Sequence, residues 1–340
     1  MKNWLSTRKI ILVLCILVIA LAIQFTTPPT YDPPQFPNGK KFAFAIVDDT
    51  DGATVENIKP VYEYLEELGI RCTKTVWLLP TNDSTHWPNR GETMQDSAYR
   101  EFVLGLQNKG FEIGLHGVRG GHSERGEVIS GLESFRELFG QYPRIHINHS
   151  LNKDNLYWGG SKLGVTPFRL MYGLMSDTPS SYGQDPASEH FWGDIAKEHV
   201  SYVVNFSFHD INILKINPAI PYHDERKPYV NYWFHSADGG FVDSFNDLIS
   251  EENVDKLESQ GGVCFVYTHL SSGFARDGKV NPEFKKRIAY LASKDGWFTS
   301  ASEILDYLRE HRNRDDDISF RERIYIELRW LIEKALYGST

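Results

Sequence analysis

From Lys41 to Leu308 the chain alternates short β-prone runs with amphipathic helical patterns, and nearly every β-prone run ends in a histidine or an aspartate. Lys41–Asp48 is the first such run, and Gly52 follows the acidic cluster that closes it. Val55, Ile58, Val61, Leu65 and Leu68 then recur at helical spacing up to Gly69. Pro60 lies inside this pattern, which places the start of the regular helix there rather than at Thr54. Further strands are expected at Ile70–Leu79, Phe111–Leu115, Pro143–Asn148, Tyr202–Phe208, Val230–Phe234 and Val263–Thr268. Helices are expected at Asp96–Lys109, Ser123–Phe139, Phe191–Val200 and Asn246–Ser259, with one more beginning at Pro282 behind an Asn281 cap. A last strand and helix run from Trp297 to Leu308. This alternation predicts an α/β protein with parallel strands and crossover helices. A distorted β/α barrel of about seven strands is the simplest closed form, and a doubly wound open sheet is the alternative.

Composition narrows the function classes. Apolar content of 41% and charge of 24% describe a globular chain rather than a disordered one. A formal net charge of −9 argues against nucleic-acid binding. No glycine-rich phosphate loop follows a strand, which argues against a nucleotide site. Three cysteines make no disulfide framework. Cys72 and Cys264 read as small buried apolar residues.

The N-terminus reads as an address. Ile10–Ile23 is 14 apolar residues without a break, preceded by Lys2, Arg8 and Lys9, with no further Lys or Arg until Lys40. That bias keeps the N-terminus cytoplasmic and exports the rest, so residues 1–25 are expected to act as a signal-anchor. A cleaved signal peptide is the alternative. Residues 26–40 carry five prolines and read as an extended spacer. The barrel is expected over 41–310. A C-terminal amphipathic helix over 311–340 is expected to pack on the barrel or a partner, or to lie on a membrane interface.

In a β/α barrel the C-terminal strand ends share one rim, where active sites are built. Asp48, Asp49 and Asp51 end the first strand and His116 the third, with His122 in the loop beyond. His146, Asn148 and His149 end the fourth, and His209 and Asp210 the fifth. His235 and Asp238 end the sixth, and His269 the seventh. Each alone is an ordinary strand-end residue. Together they make a metal-assisted hydrolytic site the leading reading, with Asn148, His209, Asp210 and His235 as candidate substrate contacts. The aromatic-rich stretch Met171–Phe245 reads first as core and capping loop, and second as a sugar platform.

Three segments carry a resemblance to a known family: Val47-Asp48-Asp49-Thr50-Asp51-Gly52, Glu112-Ile113-Gly114-Leu115-His116, and Val263 through His269-Leu270. In this order the chain resembles the polysaccharide deacetylases (carbohydrate esterase family 4, nodulation-deacetylase-like) over about residues 41–310. Two residues are inserted before Gly52, Gly120 stands where the family's second histidine falls, and Ile145–Ser150 replaces its Arg-x-Pro-Tyr segment. The resemblance implies one divalent metal ion, zinc first, held by Asp49, His116 and either His122 or His149. It implies Asp48 as general base and His269 as the acid that protonates the leaving amine, with Asp210 or Asp238 keeping that imidazole charged. The implied reaction is removal of N-acetyl groups, with O-acetyl removal chemically close, from an extracytoplasmic polysaccharide or oligosaccharide. The altered motifs leave two other readings: a non-catalytic glycan-binding or scaffold barrel, and another metal-dependent amidase on the same fold.

Overall fold

Every residue of β1 (Phe42–Asp48) is buried. A strand covered on both faces needs side chains inside it and helices outside it, the environment of a parallel sheet. The computed structural model describes residues 29–338 apart from Leu151, Asp177 and Pro179. The expected N-terminal anchor, Cys15 and the start of the proline-rich stretch lie outside the described residues.

After β1 come α1 (Val55–Glu67), β2 (Thr73–Val76), α2 (Ser97–Asn108), β3 (Glu112–Leu115), α3 (Arg125–Phe139) and β4 (Ile145–His146). A long connection then carries α4 (Thr166–Met175) and α5 (Gly193–His199) before β5 (Tyr202–Phe208) and the one-turn α6 (Ile213–Ile216). β6 (Tyr232–Asp238), α7 (Val242–Leu248), α8 (Glu251–Gln260) and β7 (Val263–Thr268) follow. A small hairpin, β8 (Ala275–Arg276) and β9 (Lys279–Val280), leads to α9 (Pro282–Ala292), β10 (Gly296–Phe298), α10 (Ala301–His311) and α11 (Phe320–Tyr337).

β1 to β7 pair in sequence order, and β7 returns to β1 along its length, from Ala43↔Val263 to Asp48↔Thr268. The result is a closed seven-stranded parallel barrel, as the alternation predicts. Its distortion lies at one seam. β10 pairs with the base of β1 at Phe42–Phe44, so β2 meets β1 only at Val47 and Asp48. Gly296 makes this wedge possible, because a Cβ there would come within 2.6 Å of Phe42 Cζ.

Local chemistry explains where the elements depart from expectation. α1 starts at Val55, not Pro60, because Thr54 and Asn57 form a reciprocal capping box that holds the first turn. The expected helix Asn246–Ser259 is two helices, because Ser250 caps a second one through Asn253 N. β6 runs four residues past Phe234, which places His235 inside the strand. Packing begins before Lys41, since the Tyr31 hydroxyl donates to Gly261 O at 2.5 Å and Phe36 is buried beside Trp297. α11 packs on the barrel through Ile326, Trp330 and Leu331. Buried Arg323 binds Asp224 at 2.7 Å, and Glu327 accepts from Gly164 N and Val165 N. Among the described residues no helix is long and apolar enough to cross a membrane.

His235 was expected among the substrate contacts, but it is fully buried among Phe206, Phe208 and Tyr222. Its Nε2 accepts from Asn217 Nδ2 at 3.2 Å. Burial pushes the imidazole down from 6.5 to about 3, with the Lys227 and Lys162 charges adding to it. The unfolded chain therefore takes up this proton at a higher pH than the folded one. The associated stability is complete above about pH 6.5 and is lost as the pH falls toward 3, by up to ~1.4 kcal/mol per pH unit. In urea unfolding across pH 4–7, His235→Gln is expected to flatten the slope by close to one proton. An unchanged slope would mean that His235 does not drive the acid sensitivity.

Candidate metal centre

Strand alternation continues past the end of β1 and sorts its acidic residues. Successive side chains point to opposite faces, so Asp48 and Thr50 share one side and Asp49 and Asp51 the other. Asp48 and Thr50 turn outward under the helices. Asp48 Oδ2 accepts from Tyr62 of α1 at 2.7 Å and meets Lys74 Nζ at 3.0 Å, while its Oδ1 accepts from Leu270 N at 2.8 Å. Thr50 Oγ1 bonds the Tyr99 hydroxyl of α2 at 2.9 Å. Asp48 is therefore a neutralised structural anion, and its place behind the rim does not suit the base role the resemblance implies. Asp49 and Asp51 face the barrel mouth.

Asp51 supplies the carboxylate where histidines converge. Its Oδ1 lies 3.0 Å from His116 Nε2 and 3.5 Å from His149 Nε2. One ligand atom from each of Asp51, His116 and His149 lies within 4.8 Å of the others, and all three residues are buried. Asp49 stands beside this group, with Oδ1 3.7 Å from His116 Nδ1.

The neighbours show why His149, and no residue at position 120, joins His116. A Cβ on Gly120 would sit 2.9 Å from Asn89 Cα and 3.0 Å from Trp77 Cη2. Trp77 fills that space, stacking on His116 and meeting His149 edge-on, while its Nε1 donates to His116 O. β4 ends at His146, so the chain turns and alternation no longer fixes His149 to the far face. Asn152 then aims the imidazole, because its Oδ1 lies 3.1 Å from His149 Nδ1 and also accepts from Gly121 N. Such outer contacts commonly orient metal-ligating histidines. Sequence reading passed over Asn152; its signal is the i, i+3 spacing from His149.

His269 closes the site from β7. Its Nδ1 donates to Gly240 O at 2.8 Å, and its Nε2 lies 3.4 Å from Asp51 Oδ2 and 3.3 Å from the Tyr267 hydroxyl. Burial opposes its charge, but Asp51 and Asp49 outweigh burial and raise it to about 9. The carboxylates holding it charged are thus Asp51 and Asp49, where Asp210 or Asp238 was expected. Burial pushes Asp49 up to about 6 against the pull of His116 and His269. Burial works the same way on Asp51, yet His116 and His149 hold it well below the usual carboxylate range. Burial lowers His149, while Asp49 and Asp51 raise His116 against its burial.

The donor set fits a divalent cation. Asp49 Oδ1, Asp51 Oδ1 and both ring nitrogens of His116 are buried without a hydrogen bond. These atoms meet only one another and His149, and a neutral imidazole has one lone pair to give, so a carboxylate and imidazole cluster this buried suits a bound cation. Two imidazoles and one carboxylate leave open the coordination position that a catalytic zinc-like ion keeps.

The other expected residues lie elsewhere. His122 is outside the group, because the Gly120–Gly121 bend carries it outward, where its Nδ1 accepts from Lys153 N and its ring faces His190. Asn148 is a buried staple, bonding Leu156 N and O through its amide. His146, beside it, is lowered to about 3 by burial and packs on Trp192. His209 sits on the rim but turns toward Tyr337 of α11, with Asp238 at 3.8 Å. Asp210 binds Lys256 of α8 and Arg329 of α11. Of the aromatics expected over Met171–Phe245, Tyr172, Trp192, Tyr222 and Trp233 are buried in the core.

No family model matches the sequence, and no curated protein matches it. Solved structures do match. A protein assigned to the polysaccharide deacetylases, from Mycobacterium smegmatis, aligns at 14% identity with a TM-score of 0.50, covering 86% of this chain and 98% of that one. Another so assigned, from Pseudomonas aeruginosa PAO1, aligns at 12% identity with a TM-score of 0.48, covering 84% and 97%.

Proposed function

We propose that this chain, which has the fold of the polysaccharide deacetylases, is a metal-dependent hydrolase that removes N-acetyl groups from an extracytoplasmic glycan. The observation that carries the reading is the buried Asp51–His116–His149 group at the barrel mouth, whose ligand atoms lie within 4.8 Å of one another. Asp51, His116 and His149 would hold the ion, in place of the Asp49-centred set that the sequence suggests. A divalent cation there supplies a Lewis acid for the acyl carbonyl and acidifies a water.

The remaining work falls to the protein. Asp49 takes the proton of the attacking water; its Oδ1 is free of hydrogen bonds and stands beside the ligand group at the barrel mouth. His269 gives a proton to the leaving nitrogen from Nε2, while its Nδ1–H to Gly240 O fixes the ring. Burial of every one of these groups keeps bulk water from competing. The N-terminal apolar run supports export and a membrane tether for the barrel, placing the substrate on the outer side of the membrane.

The test is acetate release from N-acetylated and O-acetylated oligosaccharides by zinc-loaded protein, with a chelated sample and Asp51→Ala beside it. Release that both controls abolish is the expected outcome. A fully zinc-loaded protein that frees acetate from none of these substrates would rule the reading out.

A further inference from the structure

We infer that the Tyr267 hydroxyl donates the hydrogen bond that stabilises the acyl oxygen as it becomes an oxyanion, an inference that rests on the deacetylase reading above. Strand alternation sets the direction of this side chain. Tyr267 pairs with Val47 where β7 meets β1, and Val47 shares its face with Asp49 and Asp51. Tyr267 therefore points into the barrel, on the side of those two carboxylates. Every other residue of β7 is buried, and Tyr267 alone is partly exposed, so its ring reaches toward the mouth.

Among the described residues the hydroxyl meets one partner, His269 Nε2 at 3.3 Å. The two rings stand edge to face with centroids 5.1 Å apart. One loop holds both of them. Gly239 N donates to Tyr267 O at 3.1 Å, a Cβ on Gly240 would lie 3.4 Å from Tyr267 Cε1, and the Gly240 carbonyl accepts from His269 Nδ1. Trp87 and Phe241 flank the same imidazole, with centroids 6.1 Å and 5.8 Å from it, and screen the pair from bulk water.

The hydrogen-bonding capacity of the pair assigns the role. A tyrosine hydroxyl has one proton to donate and lone pairs that accept. His269 Nδ1 is committed to Gly240 O, so Nε2 alone exchanges protons. While Nε2 carries the proton that the leaving nitrogen needs, the Tyr267 oxygen can only accept from it. The hydroxyl hydrogen is then free to turn toward the substrate. The acyl oxygen is two bonds from the leaving nitrogen, so an amide whose nitrogen meets Nε2 brings its oxygen within reach of the hydroxyl. In the addition step the water oxygen bonds the acyl carbon, a water proton passes to Asp49, and the C=O pair moves onto the oxygen that Tyr267 meets. In the collapse that pair returns, the C–N bond breaks and the nitrogen takes the Nε2 proton. Nε2 then becomes an acceptor, and the hydroxyl turns back to it with its own proton kept throughout. A donor aimed at charge that develops only in the transition state acts on kcat rather than on substrate binding.

The experiment compares wild type with Tyr267→Phe, both full-length and zinc-loaded. It measures kcat and KM for acetate release from tetra-N-acetylchitotetraose, and calorimetric affinity for the methylphosphonamidate analogue of that oligosaccharide, whose tetrahedral phosphorus carries an anionic oxygen. The variant is expected to lose kcat by about 10²–10³-fold with KM unchanged, the usual cost of one oxyanion donor, and to bind the analogue more weakly by a similar factor. The substitution removes a single oxygen and keeps the ring, and unchanged zinc content shows that the centre survives. An unchanged kcat, a rise in KM alone, or analogue binding indifferent to the hydroxyl overturns the inference. A wild type that binds the analogue through Tyr267 but releases no acetate defeats only the deacetylase reading. Acetate release indifferent to Tyr267→Phe defeats only the oxyanion role, and a wild type that neither releases acetate nor binds the analogue defeats both.

Discussion

Asp49→Asn protein is expected to keep its metal and to lose acetate release by about 10²–10⁴-fold, the usual contribution of a positioned general base. The amide keeps the shape of the carboxylate but cannot accept the proton of the attacking water. Asp49 Oδ1 makes no hydrogen bond and faces the barrel mouth beside the ligand group, where a water could reach it. The same substitution separates the two roles open to this residue. The family resemblance makes Asp49 a ligand, whereas its Oδ1 stands nearest His116 Nδ1 and it lies outside the Asp51–His116–His149 group. Loss of metal from Asp49→Asn would restore the ligand role. Full activity with metal retained would remove Asp49 from the mechanism.

Lys74→Met is expected to destabilise the fold by ~3–5 kcal/mol, because it strips a buried carboxylate of its counter-charge. Lys74 and Asp48 are both fully buried and 3.0 Å apart on adjacent parallel strands. Burial disfavours the Lys74 charge, but Asp48 overrides it and raises the amine above its ordinary value. Two hydrogen bonds would remain on Asp48, from Tyr62 and Leu270 N, and neither carries charge. The Lys74→Met/Asp48→Asn double variant is expected to recover a large part of the loss, since it removes both charges together. Denaturant unfolding of the two single variants and the double one measures this. A single-variant loss below ~1 kcal/mol would place the pair in a wetter setting than its burial describes.

The barrel was legible because its signals are local. Apolar runs, helical spacing and glycine stops mark all seven closing strands along the chain, with shifts of a few residues at most strand ends, and the pairing of β7 with β1 decides for the barrel over the open sheet. His116 and His269 at the mouth were legible for the same reason, each ending an apolar strand. The acidic cluster was harder. Asp48 and Asp49 both end the first apolar run, yet adjacency in a strand puts them on opposite faces. Carrying the alternation one full period beyond Asp49 pairs it with Asp51. His149 depended on β4 ending early, a consequence of the turn that Asn152 and Asn155 tie to it. His235 is not legible as a core residue because Val230–Phe234 is more apolar than the rest of β6 and hides the strand's continuation to Asp238. Trp87 sits in a polar loop with no periodicity, and only the fold brings it to His269.

The most direct test of the centre is elemental metal analysis of the protein purified without chelator, beside Asp51→Ala, His149→Ala and His122→Ala. The geometry predicts about one equivalent of a zinc-like divalent ion in the wild type and in His122→Ala, and loss of it from Asp51→Ala and His149→Ala. An ion that survives Asp51→Ala but leaves with His122→Ala would contradict the assignment, as would a wild type that takes up no metal even when soaked.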